Sequence, residues 1–557
     1  MSNVPSFPPP LLLRNARWRD DPTHPRARQG TILLAEGRIA ALIDGPDTDA
    51  ERDIPSAVES VDLAGAIVTP GFVDTHTHLG WAGEGLWRVD WSAVSTRAEA
   101  LDRLRTAAAR ILPGHWLHAG GWSGGWSRAR LSDAELPTLA ELDAATGPTP
   151  FFHTSADGGL AVCNSRALAL FRLVPEDQRG ALAPGGNVEV DADGRLTGRL
   201  FGAAAHARAT LGAIPPADRA RRRAELLAAV QVLARFGITE AHDIATVPDP
   251  GPTPLVFRER SFTDATLFDD LAARDELTVR IGIRPHLDRW EDAAREARRR
   301  AADPLVSVTG VKLLLDRAWY SEPLEGGYTY RYPGFAQALE WVRAADRAGL
   351  DVTIHAVGDL GVREALDLCQ QASPTGGRRH RVSHARRVAP ADIPRFAALG
   401  VVAEVQPWEI GSELPGMRQH HPAAFLETAY PLGDLLRSGA RVISGSDWRL
   451  DQRADFADLD PLGALYAAAT REAPNARPGD SPARERRQRL TLAEALHAAT
   501  GAGAWAAHAE ARRGRIAPGF QADLAILSRD ILEGPPAVVL DTRVLRTIVG
   551  GRTVFCA

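Results

Sequence analysis

The pattern of apolar and polar residues divides the chain into strand-rich ends and a middle in which apolar runs alternate with amphipathic segments. Short runs punctuated by glycine occupy residues 11–65, and the same texture returns at Ala522–Ser528 and Val544–Val549. Runs of this kind are typical of β-strands joined by turns. The two ends therefore predict one small β-sandwich domain formed by residues 1–66 and 505–557.

The middle of the chain, residues 67–490, reads as repeated βα units. Its amphipathic stretches predict helices at Pro216–Phe236, Asp288–Ala302, Tyr332–Ala348 and Leu360–Gln371. The predicted strands are Ile67–Asp74, Gly237–Ala241, Val279–Arg284, Val306–Leu315, Asp351–His355, His380–His384, Val401–Gln406 and Arg441–Ser446. Eight such units predict an α/β fold of the TIM (β/α)8 barrel type.

The first and second predicted strands lie too far apart for one connecting helix. Residues from about 81 to 230 separate them, and this stretch contains the strand-like segments Trp116–Trp122 and Phe151–Ser155. We therefore expect an inserted subdomain after the first barrel strand.

Composition narrows the class of protein. Apolar residues make up 45% and charged residues 24% of the chain, as in soluble globular proteins, and the net charge of −5 gives no footprint for nucleic acid or an anionic membrane. No apolar stretch approaches the roughly 20 residues of a membrane span, no basic segment opens the chain, and the three cysteines are too few and scattered for a disulfide framework. We expect a cytoplasmic protein that acts on a small molecule, with a homodimer as the candidate assembly.

The first barrel strand ends in Val-Asp-Thr-His-Thr-His, which places His76 and His78 two residues apart. Alternate residues of a strand share one face, and at the carboxyl end of a barrel strand that face looks into the active-site mouth. Two imidazoles there supply half of a ligand set for a divalent metal such as zinc. The alternative is a pair of exposed loop histidines.

Three further side chains end predicted strands. His355 closes Asp-Val-Thr-Ile-His, His384 closes His-Arg-Val-Ser-His, and Asp447 follows Val-Ile-Ser-Gly-Ser. Each histidine alone fits a core or loop position, and Asp447 alone fits a helix N-cap. Together they predict metal ligands, and Asp447 is also placed to accept a proton from a metal-bound water.

Lysine and arginine number 65 together, and Lys312 is the single lysine. It lies in the fourth predicted strand, where a free ammonium would be costly to bury. A lysine amine reacts with carbon dioxide to form a carbamate that bridges two cations, and arginine cannot replace it in this role. The alternative is a structural ion pair with Asp316 or Asp447.

Aromatic residues follow several of the predicted strands. The candidate substrate-binding residues at this mouth are Trp81, Trp122, Arg317, Trp319, Tyr320, Trp408 and Trp448. Trp122 lies in a Gly-Gly-Trp-Ser-Gly-Gly-Trp stretch that is a candidate lid. The set favours a substrate with an apolar or aromatic group, and the alternative is that these rings cap the barrel core.

The motifs together resemble the amidohydrolase superfamily. The carrying segments are Ala-Ile-Val-Thr-Pro-Gly-Phe-Val-Asp-Thr-His-Thr-His, Val-Lys, His-Ala-Val-Gly-Asp, Ser-His-Ala, Gly-Ser-Asp and the late Gly-Arg-Ile-Ala-Pro-Gly-Phe-Gln-Ala-Asp-Leu. The chain looks most similar to the branch typified by YtcJ-like proteins and N-substituted formamide deformylase. The resemblance covers nearly the whole chain.

The resemblance implies a site with two divalent metal ions, zinc by expectation. His76, His78 and Asp447 would bind the more buried ion, His355 and His384 the more exposed one, and carboxylated Lys312 would bridge them. A hydroxide between the ions would attack the carbonyl, and Asp447 would carry the proton to the leaving group. Two departures from the branch, Gly159 in place of the usual histidine and Arg317 after the fourth strand, concern the substrate side of the site.

These expectations amount to a metal-dependent hydrolase that cleaves an amide, N-formyl or N-acyl C–N bond of a small molecule. Two other functions stay open at this point. The same site would serve a lactone or ester hydrolase, and the fold could belong to a non-catalytic, metal-binding regulatory protein.

Overall fold

The computed structural model describes most of the 557 residues. The described residues are 8–21, 24, 26–45, 58–91, 94–111, 115–120, 136–154, 160–176, 187–201, 217–245, 247–249, 256–258, 260–315, 334–373, 377–448, 456–474 and 483–557. In this part of the chain no helix is both long enough and apolar enough to cross a bilayer.

Strands from both ends of the chain pair in one eight-stranded sheet. Its members, in spatial order, are Arg552–Cys556, Val544–Val549, Leu524–Leu527, Ile67–Pro70, Leu11–Trp18, Arg28–Ala35 and Arg38–Asp44, with Glu59–Asp62 also paired to Leu11–Trp18. Apolar side chains from both ends, among them Trp18, Ile32 and Ile526, share its core. The meeting of the two ends was predicted, whereas a two-layered sandwich and the domain boundaries stay predictions.

A second sheet lies between residues 89 and 201. Its six strands, in spatial order, are Asn187–Val190, Leu196–Phe201, Leu160–Cys163, Phe151–Thr154, Leu117–Gly120 and Val89–Asp90. Its helices are Arg97–Ala108, Leu139–Thr146 and Ser165–Phe171. The helix Leu139–Thr146 begins with a capping box, in which Thr138 and Glu141 each bond the other's backbone N–H.

The predicted barrel strands form two parallel sheets. The first has the order Val306–Val308, Arg280–Ile283, Ile238–Asp243, Phe72–Thr77, and the second has the order Val311–Leu314, Val352–Ala356, Arg381–His384, Val402–Val405, Val442–Ser444. Single parallel bridges, His286 to Lys312 and Thr77 to Trp448, join the sheets at both edges. Within the described ranges no continuous ladder closes them into one barrel sheet.

Helices follow the strands as a βα alternation requires. They are Leu79–Gly85, Arg219–Arg235, Ser261–Ala273, Trp290–Arg299, Phe335–Arg347, Asp359–Ala372, Ile393–Leu399, Pro407–His420, Ala423–Thr428, Leu432–Arg437, Pro461–Thr470, Leu492–Ala498 and Gly501–Ala506. Residues 247–249 and 256–258 add a two-stranded ribbon. The helices bury their apolar faces against the parallel strands in one large core.

Two predicted strands are wrong in their extent, and a glycine breaks each of them. Ile67–Asp74 divides at Gly71, where a Cβ would lie 2.1 Å from Oγ1 of Thr239, and only the part after Gly71 joins the parallel sheet. Val306–Leu315 divides near Gly310, where φ is +142° and a Cβ would lie 2.5 Å from the carbonyl oxygen of Asp351. At both positions the close approach of another residue, the Thr239 side chain at Gly71 and the Asp351 backbone at Gly310, favours glycine. The other six predicted strands agree with the structure to within two residues at each end.

Candidate metal centre

The candidate ligands meet at the carboxyl ends of the parallel strands. His76 lies in the strand Phe72–Thr77, His78 follows it, and Asp447 follows the strand Val442–Ser444. These strands meet at one edge of the two sheets, where the backbone N–H of His78 donates to the carbonyl of Trp448 at 2.9 Å. The strand ends approach closely because position 445 is glycine, since a Cβ there would lie 2.6 Å from Cβ of His76.

His76, His78 and Asp447 form a compact three-residue cluster. One potential ligand atom from each lies within 4.8 Å of the others. Oδ1 of Asp447 lies 3.5 Å from Nε2 of His76 and 3.1 Å from Nε2 of His78. A carboxylate beside two imidazole nitrogens is a donor set that suits a divalent transition metal.

His384 and His355 extend the cluster along the strand ends. The ring centroids of His76 and His384 are 4.9 Å apart, and those of His384 and His355 are 4.4 Å apart. His384 is buried, whereas His355, like His78, is partly exposed. All four predicted histidines therefore come together.

The backbone is in the left-handed region at two of these residues. The φ angle is +73° at His384 and +55° at Asp447. Residues other than glycine adopt this region at a cost, and such positions concentrate at functional sites. Asp74 helps to hold the Asp447 turn, since its carboxylate accepts from the N–H and hydroxyl of Ser446 at 2.9 and 2.6 Å.

Three of the histidines have one ring nitrogen already occupied. Nδ1 of His76 lies 3.0 Å from Oε2 of Glu404, Nδ1 of His78 lies 2.7 Å from the carbonyl oxygen of Ile244, and Nδ1 of His384 lies 2.9 Å from Oε1 of Gln406. Each partner is an acceptor, so each Nδ1 carries the hydrogen and each Nε2 keeps its lone pair. Metal-binding histidines use this arrangement, and the residues present therefore fit a metal.

Burial keeps the buried imidazoles neutral. It lowers the pKa of His76 to about 4, with the charge of Lys312 as a further cause. Burial also holds the pKa of His355 and of His384 well below the usual 6.5, helped by Lys312 at His355 and by His355 at His384. The neutral imidazole is the form that binds a metal.

Lys312 lies beneath these ligands and is fully buried, with 1% of its surface exposed. Its Nζ donates to Oγ of Ser383 at 2.9 Å. Burial lowers the pKa of the amine to about 8, although Glu404 and Asp447 act in the opposite direction. A lower pKa increases the fraction of neutral amine, which is the form that reacts with carbon dioxide.

The described aromatic residues have different environments. Trp81 is partly exposed and stacks on His78, with ring centroids 5.0 Å apart, and Trp408 is partly exposed in the first turn of Pro407–His420. Trp448 is fully buried and packs in the large core, so its environment fits the core-capping alternative. Trp122, Arg317, Trp319 and Tyr320 lie outside the described residues, as do Gly159 and Asp316.

Sequence reasoning missed the acceptors behind the ligands, Ser383, Glu404 and Gln406. Glu404 and Gln406 lie two apart near the end of an apolar strand, as His76 and His78 do, and both are buried. A charged side chain on the inward face of a barrel strand is the signal that could have identified this pair. Ser383 had no comparable signal apart from its place before His384.

Comparison with known proteins identifies the family of the chain. A model of the Amidohydrolase family matches residues 59–555. The YtcJ protein of Bacillus subtilis is 25% identical over 516 residues, which are 89% of this chain and 90% of YtcJ. The N-substituted formamide deformylase of Arthrobacter pascens is 26% identical over 568 residues, which are 97% of each chain.

The fold is also similar to solved structures. A metal-dependent hydrolase from Pyrococcus furiosus superposes with a TM-score of 0.70 at 22% identity, over 94% of this chain and 100% of that one. A triazine hydrolase variant superposes with a TM-score of 0.52 at 18% identity, over 98% of this chain and 94% of that one. Likeness to amidohydrolase structures implies the TIM barrel that the two parallel sheets and their bridges suggest.

Proposed function

The chain belongs to the amidohydrolase family of metal-dependent hydrolases, and we propose that it cleaves the amide, N-formyl or N-acyl C–N bond of a small molecule with an apolar or aromatic group. The observation that carries this proposal is the convergence of His76, His78 and Asp447, whose ligand atoms lie within 4.8 Å of one another. A hydrolase needs such a set to hold the metal that activates water.

The six candidate ligands would be shared between two ions. His76 and His78 with Asp447 would hold one ion, and His355 with His384 would hold the other. Lys312, carboxylated by carbon dioxide, would supply the anionic bridge between them. Zinc suits this mixed nitrogen and oxygen donor set. Two such ions, when bound, polarise a carbonyl and lower the pKa of a shared water toward about 7.

Asp447 has the second task of moving a proton. Asp447 is 5% exposed and its carboxylate contacts both His76 and His78, so it is fixed at the point where the ligands meet. In this proposal it accepts a proton from the attacking water and passes it to the leaving nitrogen, because an amide nitrogen must be protonated before it departs. The carbonyl carbon gains the oxygen and loses the amine.

The substrate class rests on Trp81 and on the relatives. Trp81 lies against His78 and keeps part of its surface, so an apolar group beside the metals would find an aromatic face. The relative from Arthrobacter pascens is named for its action on N-substituted formamides. An N-substituted formamide or a small N-acyl amine with an aromatic substituent combines both indications.

A matched substrate panel tests this function. The zinc-loaded protein would be assayed against an arylmethyl formamide, the corresponding acetamide, the formate ester of the corresponding alcohol and a lactone of similar size. We expect turnover of the formamide or acetamide, and a kcat lower by about 10²–10⁴-fold for Asp447→Asn. Selective turnover of the ester or lactone would replace this proposal with the lactone or ester hydrolase.

A further inference from the structure

Behind the candidate ligands lies a fully buried pair, Ser383 and Glu404. The two residues are register partners on neighbouring parallel strands, and each is 0% exposed. Oγ of Ser383 donates to Oε2 of Glu404 at 2.7 Å. The pair contacts two ligands of the candidate centre, His76 and Lys312.

The two carboxylate oxygens of Glu404 have different partners. Oε1 accepts from the guanidinium of Arg381 at 3.0 Å, and Arg381 is itself 0% exposed. This ion pair keeps the carboxylate ionised and fixes its plane. Oε2 is thereby left for the site, where it lies 3.0 Å from Nδ1 of His76.

An ionised carboxylate can only accept hydrogen bonds, so the hydrogen between Glu404 and His76 is on Nδ1. The lone pair of His76 is then on Nε2, which lies 3.5 Å from Oδ1 of Asp447. Glu404 therefore selects the tautomer and the ring orientation in which His76 can bind a metal.

Ser383 extends the same control to Lys312. A hydroxyl has one hydrogen and two lone pairs, and the hydrogen of Ser383 goes to Glu404. Its lone pairs accept from Nζ of Lys312 at 2.9 Å, and Nδ1 of His76 lies 3.1 Å from the same Oγ. One hydroxyl thus contacts the lysine, the histidine and the acid.

Carboxylation of Lys312 would preserve this contact. The lone pair of the neutral amine forms the N–C bond to carbon dioxide, a C=O electron pair moves to oxygen, and one proton leaves nitrogen for solvent. The product keeps a single N–H. If that N–H stays on Oγ of Ser383, this contact would fix the plane of the carbamate.

We propose that Ser383 and Glu404 are positioning residues that fix His76 and the carbamate of Lys312 as one unit. Glu404 fixes the His76 tautomer, and Ser383 fixes the carbamate plane. The proposal rests on the two-metal site of the proposed function, but not on the identity of its substrate. A displacement of the Glu404 side chain would therefore disturb both His76 and the carbamate of Lys312.

The test measures metal and carbamate, not turnover. Wild type, Ser383→Ala and Ser383→Thr would be loaded with zinc and ¹³C-bicarbonate, and the rate of zinc loss to a chelator and the labelled carbamate signal would be recorded. We expect Ser383→Ala to lose zinc roughly 10–100 times faster with less carbamate, and Ser383→Thr, which keeps the hydroxyl, to restore both.

A matched control separates positioning from general core stability. Thr500→Val also removes one buried hydroxyl, which bonds the carbonyl of Leu496 at 2.6 Å. Unfolding of the metal-free proteins would be measured for both variants. We expect similar stability losses, but faster zinc release only in Ser383→Ala. Equal zinc retention in Ser383→Ala and Thr500→Val would overturn the proposal, because Ser383 would then be an ordinary satisfied core residue.

Glu404→Gln keeps the test decisive if Ser383→Ala does not fold. Its amide is neutral and has one acceptor oxygen where Glu404 has two, so it cannot serve Arg381 and the site as the carboxylate does. We expect faster zinc loss and, in the cobalt-substituted protein, an altered visible absorption spectrum. A wild-type spectrum and wild-type zinc retention would overturn the role of Glu404. An unlabelled lysine in the zinc-loaded wild type would overturn the role of Ser383, whatever the substrate is.

Discussion

Asp447 makes two contacts with His76, one through its backbone and one through its side chain. Its N–H donates to the carbonyl of His76 at 2.8 Å, and its Oδ1 lies 3.5 Å from Nε2 of the same residue. Because the first contact ties the two strand ends together, the second is fixed by the fold. The carboxylate can therefore remain next to the site throughout a reaction.

This contact predicts the effect of Asp447→Asn. Asparagine keeps the shape and the backbone hydrogen bond, but its side chain is a poor base. We expect kcat to fall by about 10²–10⁴-fold, with the metal-free protein about as stable as wild type. Steady-state kinetics on the substrate found by the panel, with thermal unfolding as the control, checks this. If Asp447→Asn had wild-type turnover and normal metal content, Asp447 would have no role in the reaction.

Replacement of Lys312 tests the bridge. Elemental analysis of wild type should give about two divalent ions per chain, and Lys312→Ala should lose at least one of them with most of the activity. Lys312→Arg should fail as badly, because a guanidinium repels cations and forms no useful carbamate. Short carboxylates added to Lys312→Ala should restore part of the activity. An arginine variant with full metal content would reduce Lys312 to a structural ion-pair partner.

The close packing around Gly445 predicts that a larger residue at this position would disturb the metal centre by steric clash alone. In Gly445→Ala the new Cβ would lie 2.6 Å from Cβ of His76 and 2.7 Å from its backbone nitrogen, so the strand ends must separate. We expect lower metal content and a lower unfolding midpoint. Gly334→Ala is the control, since a Cβ there meets nothing within 4 Å. Equal behaviour of the two variants would contradict the close approach at position 445.

The two described tryptophans with contrasting environments should respond differently to truncation. Trp81→Ala removes a partly exposed ring stacked on His78, so we expect a higher KM with both metals retained. Trp448→Ala empties a fully buried core position, so we expect an unfolding free energy lower by about 3–5 kcal/mol. Kinetics and denaturant unfolding distinguish the cases. A rise in KM for Trp448→Ala without loss of stability would indicate that the Trp448 ring contacts the substrate.

Acid should destabilise the metal-free protein through its buried histidines. Burial lowers the pKa of His242 to about 4, whereas an unfolded histidine titrates near 6.5. As the pH falls from 6.5 toward 4, the unfolded chain binds the proton first, so the free energy of unfolding decreases. His242→Gln should reduce this decrease by up to about 3 kcal/mol. Denaturant unfolding of wild type and of His242→Gln at several pH values measures this difference, and equal pH slopes for the two proteins would contradict it.

The candidate histidines and Asp447 could be identified from the sequence because each lies at the end of an apolar run, which is a local pattern, and Lys312 because it is the single lysine. The acceptors behind the ligands could not, because their role depends on which strands are neighbours. Glu404 reaches His76 across 328 positions of the chain, and nothing near Glu404 in sequence indicates that contact. Gly71 illustrates the same limit, since the apolar run continues through it while the chain passes from one sheet to another.

The strand Ile67–Pro70 has a consequence for the order of events during synthesis. It pairs on one side with Leu11–Trp18 and on the other with Leu524–Leu527. A ribosome that adds about 5–20 residues per second needs about 20–90 seconds to travel from Pro70 to Leu524. During that interval the edge of Ile67–Pro70 is open to pairing with other chains. Slow translation of the late part of the message would lengthen this exposure, so aggregation in the cell should depend on how quickly the last strands emerge.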